Sequence, residues 1–354
     1  MNFSRLDFDK IFYHTDRVAE YLQKGDCFPL QGIFGITNSC NHKCVWCYPV
    51  YIGKTRDNIY FVDVDKFKQL LFESKNGGLK SYMLVGSGEP TLHPHFCEIL
   101  DYSREIGLEV GLYTNGYQLK EDNILSAVLR NCTYVRISLD AGTVETHEKL
   151  HGVKGHFPVI LENIDNLVRQ RSGTFPTIGV QIATNQHNCH ELPMLAAICR
   201  KKGVDYLSIK PVYSDVLAKH QNEYDLENSR IGSFMKEAEC YSTDSFSVYA
   251  KYEQFEAATK TTCNDGTEYG QCSGTPFILF ADGDGSIYIC PNRTLKFGNY
   301  HETTLDEIWE SSRRKELIAS IDLHHCPAGC HLHPLNKIIW NLKNPDPLLH
   351  PNFL

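Results

Sequence analysis

The first chemically informative stretch of this sequence is CNHKCVWC, at residues 40–47. Its cysteines, Cys40, Cys44 and Cys47, are here called the front cysteines, and no fourth cysteine follows closely behind them. Structural zinc sites and ordinary iron–sulfur clusters take four protein ligands, and His42 inside the loop is badly placed to complete a zinc tetrahedron. Three thiolates can instead hold three irons of a 4Fe–4S cube. The fourth iron then remains open to an outside ligand, such as a substrate or cofactor.

A second group, here called the rear cysteines, consists of Cys272, Cys290, Cys326 and Cys330. The first two have the spacing C-x12-G-x4-C, and the last two belong to the motif CPAGC. Four cysteines suit a fully ligated site, and their number fits both zinc and a 4Fe–4S cluster. The remaining cysteines are scattered along the chain, and we interpret most of them as small buried side chains.

The elements that must position these groups follow a repeated pattern between residues 33 and 213. Short β-rich apolar runs alternate with segments of helical periodicity, which predicts βα units around a parallel sheet. Six such units favour an α/β fold with a partial (β/α)6 TIM-like barrel, in which chemistry belongs at the carboxyl ends of the strands. The runs are IFGITN (33–38), SYMLVGSGE (81–89), EVGLYTNG (109–116), YVRISLDA (134–141), TIGVQIATN (177–185) and YLSIKPVY (206–213). All six carry polar residues at or near their carboxyl ends.

Changes in composition divide the chain into four segments. We expect an N-terminal extension at 1–30, the barrel core at 31–215, a helical linker at 216–262 and a small Cys-rich α+β domain at 263–354. In the last segment, the run Asp282-Gly283-Asp284-Gly285 between two β-rich stretches predicts a hairpin. An amphipathic helix is predicted to begin at Thr303 or Thr304, with Glu307 placed for a capping box.

The front loop, together with the aromatic Tyr48 that follows it, resembles the C-x3-C-x2-C motif of radical S-adenosylmethionine (SAM) enzymes. GSGEP (86–90) resembles the glycine-glycine-glutamate motif of that family, with Ser87 in place of one glycine. RISLD (136–140) is similar to the family's fourth-strand motif near the ribose and carboxylate of SAM, and the fifth and sixth strand ends match positions that flank the adenine. The resemblance covers about residues 30–215. The SAM-binding residues that it implies are Tyr48, Gly86, Ser87, Gly88, Glu89, Asn115, Ser138, Asp140, Gln181 and Lys210.

This resemblance implies a mechanism. SAM would chelate the open iron of a 4Fe–4S cluster held by the front cysteines. Reduction by a flavodoxin- or ferredoxin-type donor would then release a 5′-deoxyadenosyl radical, which abstracts hydrogen from a substrate C–H bond. The barrel would exclude water and competing hydrogen donors.

The rear cysteines resemble the auxiliary-cluster domain of these enzymes, known in full form as SPASM and in short form as twitch. The full form has seven cysteines and two clusters, whereas this chain has only CPAGC after its hairpin. The resemblance therefore implies a twitch domain with one auxiliary 4Fe–4S cluster on the four rear cysteines. Such a cluster would pass electrons, which favours net oxidation of the substrate, and a purely structural cluster is the alternative.

Three functions remain open from the sequence. The first is oxidation (dehydrogenation) or a related modification of a small polar molecule, such as an amino-sugar, cyclitol or sugar nucleotide. It rests on the short auxiliary domain and on an N-terminal extension too short for a typical peptide-recognition module. The second is epimerisation or peptide modification, with Cys240 or Cys263 as the hydrogen donor. The third is a non-catalytic iron–sulfur or zinc scaffold.

Composition narrows the list of partners. The 354 residues are 42% hydrophobic and 22% charged, and the net charge of −8 gives no reason to expect binding to nucleic acid or an anionic membrane. No apolar run is long enough to span a membrane, and the N-terminus MNFSRLDFDK is too polar for a signal peptide. We therefore expect a cytoplasmic protein, in which so many cysteines indicate metal or redox chemistry rather than disulfides.

Overall fold

The structure is a computed structural model, and it describes residues 5–48, 58–213, 230–259, 268–291, 295–326 and 330–350. Within these residues, ten strands form one sheet in the order β10-β9-β8-β1-β2-β3-β4-β5-β6-β7. The strands are β1 (Gln31–Phe34), β2 (Ser81–Leu84), β3 (Glu109–Thr114), β4 (Cys132–Ser138), β5 (Thr177–Thr184), β6 (Tyr206–Pro211), β7 (Ser247–Ala250), β8 (Ile278–Ala281), β9 (Ser286–Tyr288) and β10 (Lys296–Asn299).

Strands β1 to β6 lie side by side in chain order and are all parallel. The predicted α/β fold with a parallel core is therefore confirmed. The helices are α1 (Thr15–Lys24), α2 (Val64–Asn76), α3 (Phe96–Glu105), α4 (Asp122–Asn131), α5 (Val144–His151), α6 (His156–Gln170), α7 (Leu192–Lys202), α8 (Ile231–Glu239), α9 (Tyr252–Ala258), α10 (Leu305–Glu310), α11 (Ser312–Ala319) and α12 (His333–Lys343).

The segment predicted as a helical linker also contains a strand. β7 pairs in parallel with β6 and extends the sheet, while α8 packs on α7. The sequence SVYA gave a weak signal because the strand has four residues, of which Val248 alone is buried. A strand this short at the edge of a sheet shows little of the alternation by which strands are recognised.

The predicted hairpin is present, and it belongs to the main sheet. β8 and β9 are antiparallel and are joined at Asp282–Gly285, where Gly285 has a φ of 84° that favours glycine. β8 also pairs in parallel with β1 along its whole length. The start of the Cys-rich segment is therefore continuous with the barrel core through backbone hydrogen bonds.

The predicted amphipathic helix is divided in two. The Thr304 side chain caps α10 by accepting from the Glu307 amide at 3.4 Å. Ser311 then ends α10 and caps α11, because its hydroxyl accepts from the Arg314 amide at 3.3 Å. A serine side chain that competes for backbone donors explains the break inside an otherwise helical pattern.

The two faces of the sheet have different coverings. Outward-facing residues such as Val135 and Ile182 pack with the surrounding helices in one large core. On the inner face, Ile33 of β1 and Phe280 of β8 pack with α12 and with the N-terminal segment, in a second cluster that includes Ile339. This second cluster fills the interior beside β1, β2 and β8. None of the described helices has the length and apolar character that crossing a membrane requires.

Candidate active site

The front cysteines lie on a loop that follows β1 and is fastened to the end of α5. The amide of Lys43 donates to the His151 carbonyl at 2.8 Å, and the amide of Val45 donates to the Leu150 carbonyl at 2.9 Å. Gly152 ends α5 with a φ of 63°, and a Cβ there would lie 2.8 Å from the Lys43 carbonyl oxygen. The glycine therefore permits both the left-handed turn and the close contact with the loop.

The motif GSGEP approaches the same loop from the end of β2. The Glu89 amide donates to the Ser39 carbonyl at 2.8 Å. A Cβ on Gly88 would lie only 2.2 Å from that carbonyl oxygen, and a Cβ on Gly86 would lie 2.8 Å from the Cα of Gly35. Both glycines are thus needed for backbone-to-backbone contact with the chain that leads from β1 into the front loop.

Glu89 joins the ends of β2 and β3. Its buried carboxylate accepts from the hydroxyls of Thr91 and Thr114 at 2.7 and 2.6 Å, and from the Asn115 amide at 2.7 Å. Burial raises the pKa of Glu89, and these donors act in the opposite direction. The Asn115 side chain in turn donates to the side-chain oxygen of Asn41 in the front loop at 2.6 Å. Glu89 therefore organises the loops around the front cysteines.

The fourth and fifth strands bring further predicted residues to this edge. Asp140 has a φ of 54°, an uncommon backbone conformation for a residue other than glycine, and its carboxylate accepts from the Ala183 amide at 2.7 Å. Ser138 of β4 pairs with Gln181 of β5, which is 8% exposed. Special backbone geometry at a strand end, held by a neighbouring strand, is typical of functional sites.

Tyr48 and Lys210 lie at the same carboxyl edge of the sheet, near the end of β6. The Tyr48 ring packs edge-on against the ring of Tyr213, which follows β6, with the centroids 4.9 Å apart. The Tyr48 hydroxyl also donates to the Pro291 carbonyl at 3.3 Å. Lys210 is on the inner face of β6, where burial lowers its pKa and the charge of Asp140 raises it. The structure thus brings the predicted SAM-binding residues of all six strands to one edge.

A group of histidines beside the front loop was missed by the sequence reasoning. The buried His42 lies with its Nδ1 2.9 Å from Nδ1 of His151 and its Nε2 3.0 Å from Nδ1 of His156. His151 Nδ1 is also 3.6 Å from Cys44 Sγ, and its Nε2 is 3.4 Å from an Asp140 carboxylate oxygen. Its contacts therefore extend from a front cysteine to the fourth strand end.

His147 completes this histidine group. It stacks on His151 with the ring centroids 4.2 Å apart, and its two ring nitrogens are buried with no hydrogen-bond partner among the described residues. Burial, followed by the charges of His151 and His156, lowers the pKa of His147 to about 3. The pair HEKLH, with histidines four residues apart on one helix face, was the local signal available in the sequence.

Asp282, in the hairpin turn, is a second unpredicted member of the site. Its buried carboxylate accepts from the Ser87 hydroxyl at 2.9 Å, from the Tyr60 hydroxyl at 3.1 Å and from the Gly283 amide at 3.1 Å. The Tyr300 hydroxyl donates to the Asp282 backbone carbonyl at 3.1 Å. The Cys-rich segment is thereby tied to the loop of the GSGEP motif.

The rear cysteines lie towards the amino ends of the parallel strands, opposite the carboxyl ends where the front cysteines lie. Cys272 precedes β8 and Cys290 follows the antiparallel β9, so both are displaced towards the amino end of β8. Cys272 and Cys330 pack against the same inner apolar cluster, and the Asn336 side chain of α12 donates to Cys272 Sγ at 3.6 Å. Cys326 follows the short helix Leu323–His325.

Neither of the two candidate hydrogen donors is found at this site among the described residues. Cys240 is exposed at the end of α8, on the outer helical layer, and its thiol contacts the Lys236 carbonyl at 3.4 Å. Its position therefore gives no support to a role at the strand ends. Cys263 lies outside the described residues.

The site at the carboxyl edge fits a three-cysteine cluster with a polar cofactor beside it. The His42 amide donates to Cys40 Sγ at 3.4 Å, a contact that stabilises a thiolate. At the end of β5, the buried Thr184 hydroxyl has no hydrogen-bond partner among the described residues, and the same is true of the Asn41 side-chain nitrogen. Buried polar groups without partners are costly unless a ligand satisfies them.

An alternative donor set exists within this site. The side chains of His42, Cys44 and His151 offer nitrogen and sulfur atoms that all lie within 4.8 Å of one another. Such a set suits zinc. It uses one front cysteine and leaves the polar strand ends without a role, whereas a cluster on three cysteines accounts for both.

Comparison with known proteins agrees with the cluster. Residues 34–187 match the model of the radical SAM superfamily, and residues 272–331 match that of the iron–sulfur cluster-binding domain SPASM. Together the matches cover more than half of the chain. The second begins at the first rear cysteine and ends just after the last.

Curated relatives differ in how much of their length is matched. The tungsten-containing aldehyde ferredoxin oxidoreductase cofactor-modifying protein of Pyrococcus furiosus is 26% identical over 78% of this chain and 80% of its own length. The Fe-coproporphyrin III synthase of Methanosarcina barkeri is 28% identical over 56% of this chain, and the mycofactocin maturase MftC of Mycobacterium ulcerans is 26% identical over 53%. This chain covers about half of the length of each of the last two.

Solved structures share the fold. SuiB of Streptococcus suis, bound to the precursor peptide SuiA, superposes with a TM-score of 0.67 at 16% identity, over 98% of this chain and 81% of that one. The cofactors implied by the two domains are SAM with its 4Fe–4S cluster, and auxiliary iron–sulfur clusters at the rear. The chain therefore belongs to the radical SAM superfamily and carries a C-terminal SPASM-type iron–sulfur domain.

Proposed function

We propose that this enzyme oxidises a small polar molecule by removing hydrogen from one of its C–H bonds, with a net loss of two hydrogens. A 4Fe–4S cluster on the front cysteines, with SAM bound, would supply a radical that takes one hydrogen atom from the substrate. A cluster on the rear cysteines would accept the remaining electron, and the second hydrogen would leave the substrate as a proton. The observation that carries the proposal is that the two cysteine groups flank opposite edges of one sheet, with its inner face between them.

The chain's own residues position the reactants. Glu89 connects the loop of GSGEP to the front loop through Asn115, and Asp282 fixes the same loop to the hairpin. The cofactor's polar groups would therefore meet a rigid surface. Asp140, Ser138 and Gln181 present polar atoms at the neighbouring strand ends. The apolar cluster beside β1, β2 and β8 excludes water from one side of the interior. Fixed geometry and exclusion of water both favour controlled radical chemistry.

A peptide substrate is the second candidate. Several relatives have names that include maturase or bacteriocin biosynthesis, and the fold of SuiB has been solved with a precursor peptide. The P. furiosus relative, which matches over most of its length, is named as a cofactor-modifying protein and supports the small-molecule proposal instead. The outer-layer position of Cys240 gives no support to an epimerase that uses that thiol.

The test uses anaerobically reconstituted protein, reductant and SAM, with 5′-deoxyadenosine measured by mass spectrometry. We expect a low-molecular-mass cell extract to raise its formation, and one metabolite to be replaced by a product with two fewer hydrogens. The extract should keep this effect after peptidase treatment. Sensitivity to peptidase would favour the peptide candidate. The matched control replaces all three front cysteines with alanine, and SAM cleavage that survives this change would contradict the assigned cluster.

A further inference from the structure

The inner face of the sheet beside β4 to β7 carries a concentration of basic side chains. They are Arg136 on β4, Lys210 on β6, Lys251 directly after β7 and His331 two residues before α12. Each retains partial solvent exposure although it faces the interior. These four side chains, here called the basic wall, therefore border open space rather than packed core.

Arg136 is at the centre of three tyrosine rings. Its Nε donates to the Tyr206 hydroxyl at 2.9 Å, and its Nη1 donates to the Tyr113 hydroxyl. The guanidinium carbon lies 4.7 Å from the Tyr113 ring centroid, 5.4 Å from that of Tyr206 and 5.7 Å from that of Tyr134. These contacts hold the guanidinium in place through cation–π attraction and hydrogen bonds.

Two glycines make this arrangement possible. A Cβ on Gly179 would lie 2.1 Å from the Tyr206 ring, and a Cβ on Gly111 would lie 2.2 Å from the Tyr134 ring. The rings thus lie flat across neighbouring strands instead of filling the interior. The sequence therefore creates space in front of Arg136, which an apolar core would not leave open.

The basic wall is not neutralised by the described residues. Arg136 donates two of its N–H groups to tyrosines and has no carboxylate within ion-pair distance in that part of the chain. Lys210 and His331 have no ion pair among these residues, and Lys251 donates to the Leu6 carbonyl at 3.4 Å. Acidic side chains nearby have a partial effect. The charge of Asp140 raises the pKa of Lys210, and the charges of Asp7 and Glu253 raise the pKa of Lys251.

The members of the basic wall repel one another across the shared space. Burial, and then the charge of Arg136, lowers the pKa of Lys210 despite the opposing effect of Asp140. Several unpaired cations around one space are costly unless an anion binds between them. Because the net charge of the whole chain is −8, this concentration of basic side chains does not simply reflect a basic composition.

We propose that the basic wall binds an acidic group of the substrate, a carboxylate or a phosphate, with Arg136 as the main contact. This inference rests on the proposed function, because it deepens the identity of the same substrate. Lys210 lies two residues beyond the level of Ser208, which pairs with Gln181 at the SAM side, whereas His331 follows the rear cysteine Cys330. The basic wall therefore extends from the SAM side, at Lys210, towards the rear cysteines, at His331.

Calorimetry on the anaerobically reconstituted, SAM-bound protein tests this directly. Inorganic phosphate and malonate are titrated separately at constant ionic strength, and saturable binding of one of them identifies the acidic group. We expect Arg136→Gln and Lys251→Gln each to weaken binding by about tenfold or more, as loss of a charged hydrogen bond predicts. Lys236→Gln, at an exposed position on α8, is the matched control and should leave the affinity unchanged.

Iron content per chain shows whether each variant is folded, and Arg136→Lys, which keeps the charge but loses the forked geometry, should bind more weakly than wild type. If Arg136→Gln fails to fold, Lys251→Gln decides. Absence of saturable binding by either probe, or equal binding by wild type and both Gln variants, overturns the inference. Anion binding without SAM cleavage by the wild type would contradict the proposed function alone. SAM cleavage without saturable anion binding would contradict this inference alone.

Discussion

Gly88→Ala tests whether contact between the GSGEP loop and the front loop positions SAM. The added Cβ would lie 2.2 Å from the Ser39 carbonyl oxygen and 2.6 Å from the Asn38 carbonyl carbon, whereas real Cβ contacts essentially never fall below 3.0 Å. Both partners are backbone atoms, so no side chain can rotate away. The loops must separate, and the 2.8 Å hydrogen bond from the Glu89 amide to Ser39 must lengthen.

The expected cost follows from these contacts. Forced overpacking costs about 1–3 kcal/mol, and weakening one backbone hydrogen bond adds about 1 kcal/mol. If half of this total falls on the SAM-bound form, SAM affinity decreases by roughly five- to thirtyfold, since about 1.4 kcal/mol corresponds to a factor of ten. The assay is equilibrium binding of SAM to the reconstituted protein, with iron content measured in parallel.

Gly142→Ala is the matched control. A Cβ at Gly142 would lie 3.3 Å from a side-chain atom of Met194 and 3.4 Å from the Glu191 carbonyl oxygen, contacts that small shifts relieve. We expect SAM affinity and iron content close to wild type for this variant. Wild-type SAM affinity in Gly88→Ala would refute the reasoning, because it would mean that the close contact of the two loops does not position the cofactor.

Two further predictions concern the unpredicted members of the site. Asp282→Asn should lower the unfolding temperature, because the amide cannot accept from all three donors and each lost hydrogen bond to a charged group is worth about 1.5–3 kcal/mol. Asp284→Asn, at an exposed position, is the control and should have little effect. Equal effects of the two substitutions would contradict this role of Asp282. His147→Phe should reduce the loss of stability on acidification. The folded-state pKa of His147, about 3, lies below the ordinary histidine value of 6.5. The unfolded chain therefore binds an extra proton below pH 6.5, and wild type loses about 2 kcal/mol by pH 5 relative to the variant. Parallel thermal-unfolding curves between pH 7 and pH 5 would disprove this.

Local patterns were sufficient to predict most of the core. Each strand from β1 to β6 is a short β-rich run followed by a helical period, and these signals lie within one stretch of sequence. The front loop and GSGEP were recognisable because the residues of each motif are neighbours in the chain. For the same reason, the hairpin at Asp282–Gly285 and the cap at Thr304 were confirmed.

Long-range pairings were not predictable from local patterns. The Ser87 and Asp282 side chains that form a hydrogen bond are 195 residues apart, and His42 and His151 are 109 residues apart. Pairing of β8 with β1 joins segments separated by more than half of the chain. A single sequence contains the chemistry of each partner but gives no information about which distant residue it meets.

The pairing of β8 with β1 also bears on the size of the substrate. Because β8 is hydrogen-bonded to β1 along its length and Asp282 fastens its end to Ser87, the rear cysteines cannot shift far relative to the front ones without breaking buried hydrogen bonds. The interior between them is therefore fixed on one side by the sheet and on another by the apolar cluster of α12. The basic wall borders the same interior beside β4 to β7. A molecule that reaches from the strand ends to Arg136 must fit between these fixed elements, and this constraint is our reason for proposing a compact acidic substrate rather than an extended peptide.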